Sequence, residues 1–267
     1  MSVQSILRWR DGVLDPLDYC DMTDARVIVA DSWVVDDGLV LGLDLHRDRF
    51  LGSFPAAARG LDVEGFWAAV IAAIPRSGVW FPRVELHAVG DAWRLLMRLR
   101  EAPERRRSAV LAAWDGPDPR RSPLIKGPDL DRLAAVRTAV QPLGADEAVL
   151  VTPDGAVIEG AYSALLWWRG DILCAPPREF ARIPSVTARV VLTLATALGV
   201  DTHEEPVLPR DLDGTETWVL SALHGIRIAT SWVEGPGLAE RPGRLGDWRA
   251  RLSALRRPLS SAASDAP

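Results

Sequence analysis

Apolar residues recur along this chain at two spacings. In "DVEGFWAAVIAAI" they fall three and four apart, which predicts an amphipathic helix that stops at Pro75. "ARVIVADSWVVDDGLVLGLDLHRDRF" predicts two apolar strands about a turn at Asp36-Asp37-Gly38, then a helix opening near Asp44. "RVELHAVG" and "AWRLLMRLR" predict two antiparallel strands. Further along, "DLDRLAAVRTAVQPLG" and "SVTARVVLTLATALGV" have helical spacing, the second with a serine as its N-cap. "EAVLVTPDGAVIEG" and "ALLWWRGDILCAP" predict hairpins turning at Pro153-Asp154-Gly155 and Arg169-Gly170-Asp171. "TWVLSALHGIRIATSW" predicts two strands joined through Leu223-His224-Gly225.

No repeat period interrupts this order, and the mixture is that of an α+β protein. The proline- and arginine-rich stretch from Arg100 to Leu124 separates two regions, and "DGPDPRRSP" within it is the linker candidate. The expected division is an N-terminal α+β domain over 1–118, a linker over 119–125, a C-terminal α+β domain over 126–257, and a disordered tail over 258–267.

A length of 267 residues with 48% hydrophobic and 25% charged side chains suits a soluble globular protein. The net charge of -5 argues against a nucleic-acid partner, and "PERRRS" reads as a solvated turn. Cys20 and Cys174 give no disulfide framework or metal knuckle, and the four histidines share no ligand spacing, so no metal site is expected. No apolar run has membrane-spanning length and the polar start is no signal peptide; the expected location is cytoplasmic. The eleven tryptophans are expected in the core or in pocket walls.

Among 31 basic residues there is one lysine, Lys126. Arginine stays protonated and cannot act as an amine nucleophile, whereas a buried lysine can. An arginine-favouring coding bias would also leave a single lysine, so the neighbours have to decide. Glu159 ends the strand "AVIEG", a place that solvated acids also occupy. "RIPSVTAR" enters a helix whose first N–H groups suit an anion such as phosphate; a plain capped helix start looks the same. His46 and Arg49 lie three apart on one helical face. Arg49 could clamp a phosphate, or pair with Asp48 or Asp44 at the surface.

The order of these elements resembles the class IV aminotransferases, the pyridoxal-phosphate enzymes of fold type IV. That family includes branched-chain and D-amino-acid aminotransferases and 4-amino-4-deoxychorismate lyase. The resemblance runs from Leu39 to Trp232. "IKGPDLDRL" is similar to the family's lysine segment, and "GADEAVLVTPDGAVIEG" to its glutamate hairpin. "IPSVTAR" is similar to its phosphate turn, with Ser185, Val186, Thr187 and Ala188 in those places. The resemblance implies a two-domain D-amino-acid/branched-chain aminotransferase-like fold with pyridoxal 5'-phosphate as cofactor. Lys126 would be the catalytic lysine bonded to the cofactor, and Glu159 would face the pyridine nitrogen. Arg49 and the amides of Val186 and Thr187 would hold the phosphate, joined by the backbone at Ala222 and Leu223. It also implies a small-molecule amine substrate and a homodimer in which the partner's N-terminal domain closes the active site. Trp67, Trp80 and Trp93 fit the dimer, being more than a small layer is expected to bury alone.

The chain departs from the family pattern in two places. Ser221-Ala222-Leu223-His224 stands where aminotransferases carry Gly-Thr-Ala, and "VADSWVVDDG" stands where the family has "GDGVFET". The first departure leans towards the deoxychorismate lyases, so the expected reaction is release of pyruvate to leave 4-aminobenzoate; the alternative is aminotransfer to a keto acid. Arg227 and Arg120 or Arg121 are candidates for the substrate carboxylates. His224 is a candidate hydrogen-bond donor at the mouth, with a structural role as the other possibility. A non-catalytic descendant is expected to lose Lys126 or Glu159, and both are present.

Overall fold

Alternation along β7 (Arg83–Val89) and β8 (Ala92–Arg100) sets the two faces of the first sheet. Val84, Leu86, Leu95 and Met97 enter the hydrophobic core. Glu85 and His87, on alternate positions, are buried as a polar pair. The Glu85 carboxylate accepts from His87 Nε2 at 2.7 Å and Arg98 Nε at 2.9 Å, with Arg83 Nε at 2.7 Å. This is a computed structural model, and it describes residues 4–17 and 25–260.

The chain divides into two units, the first comprising Met1–Glu104, Ile125–Pro128 and Leu255–Pro267. Here β1 (Gln4–Arg10), β2 (Val13–Pro16) and β3 (Arg26–Ser32) join β7 and β8 in an antiparallel sheet of order β2-β1-β8-β7-β3. A second sheet orders β17 (Arg257–Pro258), β5 (Leu39–Val40), β4 (Val35–Asp36) and β6 (Val79–Trp80). The β4–β5 turn holds Asp37 and Gly38 at φ 47° and 76°, the left-handed pair that a two-residue hairpin requires. Helices α1 (Leu43–Gly52) and α2 (Val63–Ala73) supply Phe50, Phe66, Val70 and Ile71 to the core beside Trp33. The Asp62 side chain caps α2 by accepting from Gly65 N at 3.0 Å.

The unit buries Trp67 itself, and Trp80 and Trp93 pack partly against the same core. Trp80 and Trp93 keep part of their surface exposed.

The second unit comprises Arg105–Leu124 and Asp129–Ala254. Its strands are β9 (Ser108–Ala113), β10 (Glu147–Val151), β11 (Val157–Gly160), β12 (Ala164–Arg169), β13 (Ile172–Ala175), β14 (Thr202–Glu204), β15 (Glu216–Ser221) and β16 (Gly225–Val233). They form one sheet of order β11-β10-β9-β16-β15-β12-β13-β14. Helix α3 (Leu130–Val140) covers one side through Leu133, Val136 and Val140. Helices α4 (Val186–Ala197) and α5 (Arg244–Ala254) complete the unit, α5 placing Trp248 edge-on to Trp168 and Trp218.

The observed division differs from the expected one at three points. Strand β9, inside the stretch expected to end the first domain, lies parallel between β10 and β16 in the second sheet. Four residues around Lys126 group with the first unit, because Ala30 N donates to the Lys126 carbonyl at 2.6 Å. Residues 258–260 are no tail: Leu259 is buried in the first core. The rest of the expected tail, 261–267, lies outside the described residues, as does Cys20.

Candidate active site

An acid buried in an apolar strand must be paired. Asp31, in the middle of "VIVADSWVV", is fully buried on β3, and both residues singled out on α1 turn to it. His46 Nδ1 lies 2.7 Å from Asp31 Oδ1. Arg49 donates through Nε to Oδ2 at 2.7 Å and through Nη2 to Oδ1 at 2.8 Å. The Ser32 amide adds a bond to Oδ1 at 2.7 Å. Burial works against the Asp31 charge, yet His46 and Arg49 hold its carboxyl far below the usual range. Burial keeps His46 neutral despite Asp31, and the charges of Arg49 and Lys126 push the same way. The imidazole thus keeps its proton on Nδ1, facing Asp31.

Lys126 is joined to this group by its backbone. Its carbonyl accepts from Ala30, the residue before Asp31, and Gly127 follows at φ 136°. A Cβ on Gly127 would stand 2.7 Å from Ala30 N, so only glycine lets the segment lie this close to β3. Arg49, His46 and Lys126 are therefore brought together, around an acid that the spacing argument did not single out. Asp44 and Asp48, the surface alternatives for Arg49, are not its partners. The signal for Asp31 was its polarity within an apolar run.

In the second unit Glu159 sits on β11 opposite Leu150, only 5% exposed. Arg120 Nη1 donates to Glu159 Oε1, while its Nε and Nη2 bond the Asp118 carboxylate at 2.9 and 2.7 Å. Burial opposes the Arg120 charge, and Asp118 and Glu159 more than restore it. With its side chain 2% exposed and both edges engaged, Arg120 is a bridge between two acids and not a free clamp for a substrate carboxylate. Arg121 is exposed, and its amide donates to Asp129 Oδ2 at 2.9 Å.

Arg227 is buried too, with Nη2 3.4 Å from Glu147 Oε2. Burial pushes Glu147 up and Arg227 down, so the pair only partly offsets its own desolvation. Glu147 also accepts from Tyr162 N at 3.1 Å and Ser163 Oγ at 3.0 Å, bracing the turn after Glu159. Arg227 is thus held within the unit by Glu147. His224 sits on the β15–β16 turn, its Nδ1 accepting from Arg106 N at 3.2 Å. Burial, then Arg227, Arg137, Arg106 and Arg249, push its pKa down to about 4, so it offers no charge at neutral pH.

The start of α4 is capped as its sequence predicts, with Ser185 Oγ accepting from Ala188 N at 3.2 Å. Val186 and Thr187 form the first turn, whose N–H groups have no intrahelical acceptor. Ala222 and Leu223 form the half-buried turn between β15 and β16, and Ser221 Oγ accepts from His224 N at 3.2 Å. Ser221 thus braces its own turn. No helix among the described residues is long and apolar enough to cross a membrane.

Comparison with solved structures returns the same fold repeatedly. A fold IV transaminase from Curtobacterium pusillum is similar at 17% identity, covering 94% of this chain and 97% of its own, with a TM-score of 0.77. A PLP-bound hypothetical aminotransferase from Mycobacterium tuberculosis is similar at 18% identity, with 94% and 98% covered and a TM-score of 0.75. A branched-chain aminotransferase from Thermoproteus uzoniensis with norvaline is similar at 16% identity, with 96% and 100% covered and a TM-score of 0.77. At these identities the likeness is one of fold. A search of curated proteins gave no match. The family model for amino-transferase class IV matches residues 29–232, from the strand carrying Asp31 to the end of the strand carrying Arg227. The chain belongs to the class IV aminotransferase family.

Proposed function

We propose that this protein binds pyridoxal 5'-phosphate and transfers the amino group of a small-molecule amine to a keto acid. The observation that carries the reading is the placement of the only lysine, pinned by its carbonyl to β3 beside the Asp31–His46–Arg49 group. The residues present fit the cofactor: an amine, a buried acid for a ring nitrogen, and unpaired N–H groups at a helix start for a phosphate. When bound, the cofactor supplies an electron sink for charge developing beside the amine nitrogen.

The chain's own groups do the rest. Lys126 Nζ would hold the cofactor and would carry a proton to and from the substrate carbon that bears nitrogen. Glu159 would keep the proton on the ring nitrogen. Arg49 and the amides of Val186 and Thr187, with the backbone of Ala222 and Leu223, would hold the phosphate.

A second reading is elimination of pyruvate in the manner of 4-amino-4-deoxychorismate lyase. The Ser221-Ala222-Leu223-His224 turn, which lacks the aminotransferase threonine, favours it. Against it, Arg120 and Arg227, its candidates for the substrate carboxylates, are engaged in internal ion pairs.

Borohydride reduction of the cofactor-loaded protein, followed by peptide mapping, should label Lys126. A label confined to the N-terminal amine would overturn the reading. Pyruvate release from aminodeoxychorismate, set beside a screen of amino donors with a keto acid, separates the two reactions.

A further inference from the structure

We propose that Asp118 and Arg120 are positioning residues that set the charge with which Glu159 meets the cofactor ring; this rests on the cofactor reading above. The three side chains form one line. Asp118 takes Arg120 on its Nε and Nη2 edge, and Arg120 Nη1 takes Glu159 Oε1. Arg120 and Glu159 are almost fully buried, while Asp118 is 37% exposed at the far end.

Counting charges shows what the line does. Arg120 alone would cancel the Glu159 carboxylate, leaving a neutral pair that holds a ring proton weakly. With Asp118 attached, the trio carries one net negative charge, and Arg120 still fixes the plane of the Glu159 carboxylate through a directed bond. Arg182 adds a second positive field at Glu159, with its guanidinium held on the carbonyls of Pro176, Pro177 and Phe180 and with Glu204 and Glu179 nearby. It is unchanged in the variants below. The sequence offered Arg120 as a substrate clamp; its guanidinium bonds Asp118 and Glu159.

The charge argument gives opposite signs for two substitutions. Asp118→Asn leaves Arg120 and Glu159 as a neutral pair, so the ring nitrogen should lose its proton at lower pH. Arg120→Gln leaves two acids without the cation between them, so the proton should be held to higher pH. A bracing role without charge control would loosen the site in the same sense in both.

The test loads the full-length protein with pyridoxal phosphate labelled with nitrogen-15 in the ring and follows the nitrogen chemical shift against pH. The expected displacement is about half to one pH unit, downward for Asp118→Asn and upward for Arg120→Gln. Arg120→Lys, which keeps the charge, should move the titration less than Arg120→Gln. Shifts of the same sign in Asp118→Asn and Arg120→Gln, or no shift in Asp118→Asn, overturn the proposal. A ring nitrogen that responds to Glu159→Gln but ignores Asp118 sinks this proposal alone. Wild-type protein that binds no cofactor sinks the functional reading as well.

Discussion

Asp31 and Arg49 meet side-on, Nε to Oδ2 at 2.7 Å and Nη2 to Oδ1 at 2.8 Å, with the carboxylate fully buried. Removing one member of a buried ion pair leaves the other uncompensated. Asp31→Asn should therefore cost about 3–5 kcal/mol in chemical denaturation. Arg49→Ala should strand Asp31 in the same way, and should also weaken cofactor binding by about 1.5–3 kcal/mol if Arg49 contacts the phosphate. Cofactor titration of folded protein isolates the second effect; an unchanged affinity would confine Arg49 to its bond with Asp31.

Glu85 carries an acid-stability prediction. Burial raises its pKa, but the His87 bond and the charges of Arg83 and Arg98 bring it from 4.5 down to about 2. A folded pKa below the unfolded one gives stability that is present above the unfolded value and lost as pH falls through the folded one. That contribution, about 3 kcal/mol, should be intact above pH ~4.5 and fade between there and pH ~2. Glu85→Gln should be less stable at neutral pH and show a flatter loss over that window. Equal slopes for the two proteins in urea titrations at stepped pH would contradict the assignment.

Gly127→Ala should be disproportionately harmful for a one-carbon change. The added Cβ would meet Ala30 N at 2.7 Å and the Val29 carbonyl carbon at 2.9 Å, at a φ of 136° that alanine avoids. Relief requires moving Lys126 away from β3, so cofactor loading should fall together with the melting temperature. Retention of both would mean that the Lys126 carbonyl bond does not locate the lysine.

Most elements were legible because their patterns were local. The hairpins at Asp154-Gly155 and Gly170, the Ser185 cap and the Asp62-capped helix each carry turn or cap residues within a few positions of their apolar runs. Strand β9 was not legible. "SAVLAA" is short and lies between arginine- and proline-rich segments, and only its parallel neighbours β10 and β16 make it a strand. The site divided in the same way. Lys126 stood out by chemistry, and Glu159 only through the family resemblance. Besides the nearby Asp118 on Arg120, the partners of Arg49, Arg120 and Arg227 are Asp31, Glu159 and Glu147, which lie 18, 39 and 80 residues away in sequence. Spacing along the chain cannot report pairs of that kind.

The family resemblance implies a two-fold dimer, and Trp80 and Trp93 keep part of their surface exposed. Light scattering at micromolar concentration should give twice the 29.1 kDa chain mass. A fully active monomer would contradict a site shared between subunits.

Strand β17 also fixes a temporal order. Arg257 and Pro258 pair with Val40 and Leu39, Arg256 bonds Asp36 at 2.9 Å, and Leu259 fills the core built by residues from Val29 to Met97. During synthesis, the first unit, whose leading segment ends at Glu104, therefore waits for its closing strand at Arg257 until about 150 further residues have been made. The later-made unit, whose strands run from Ser108 to Val233, has all its pieces first. Chains that have emerged only as far as Ala254 should thus hold an open first core, exposed to chaperones and proteases, while the second unit is already able to fold.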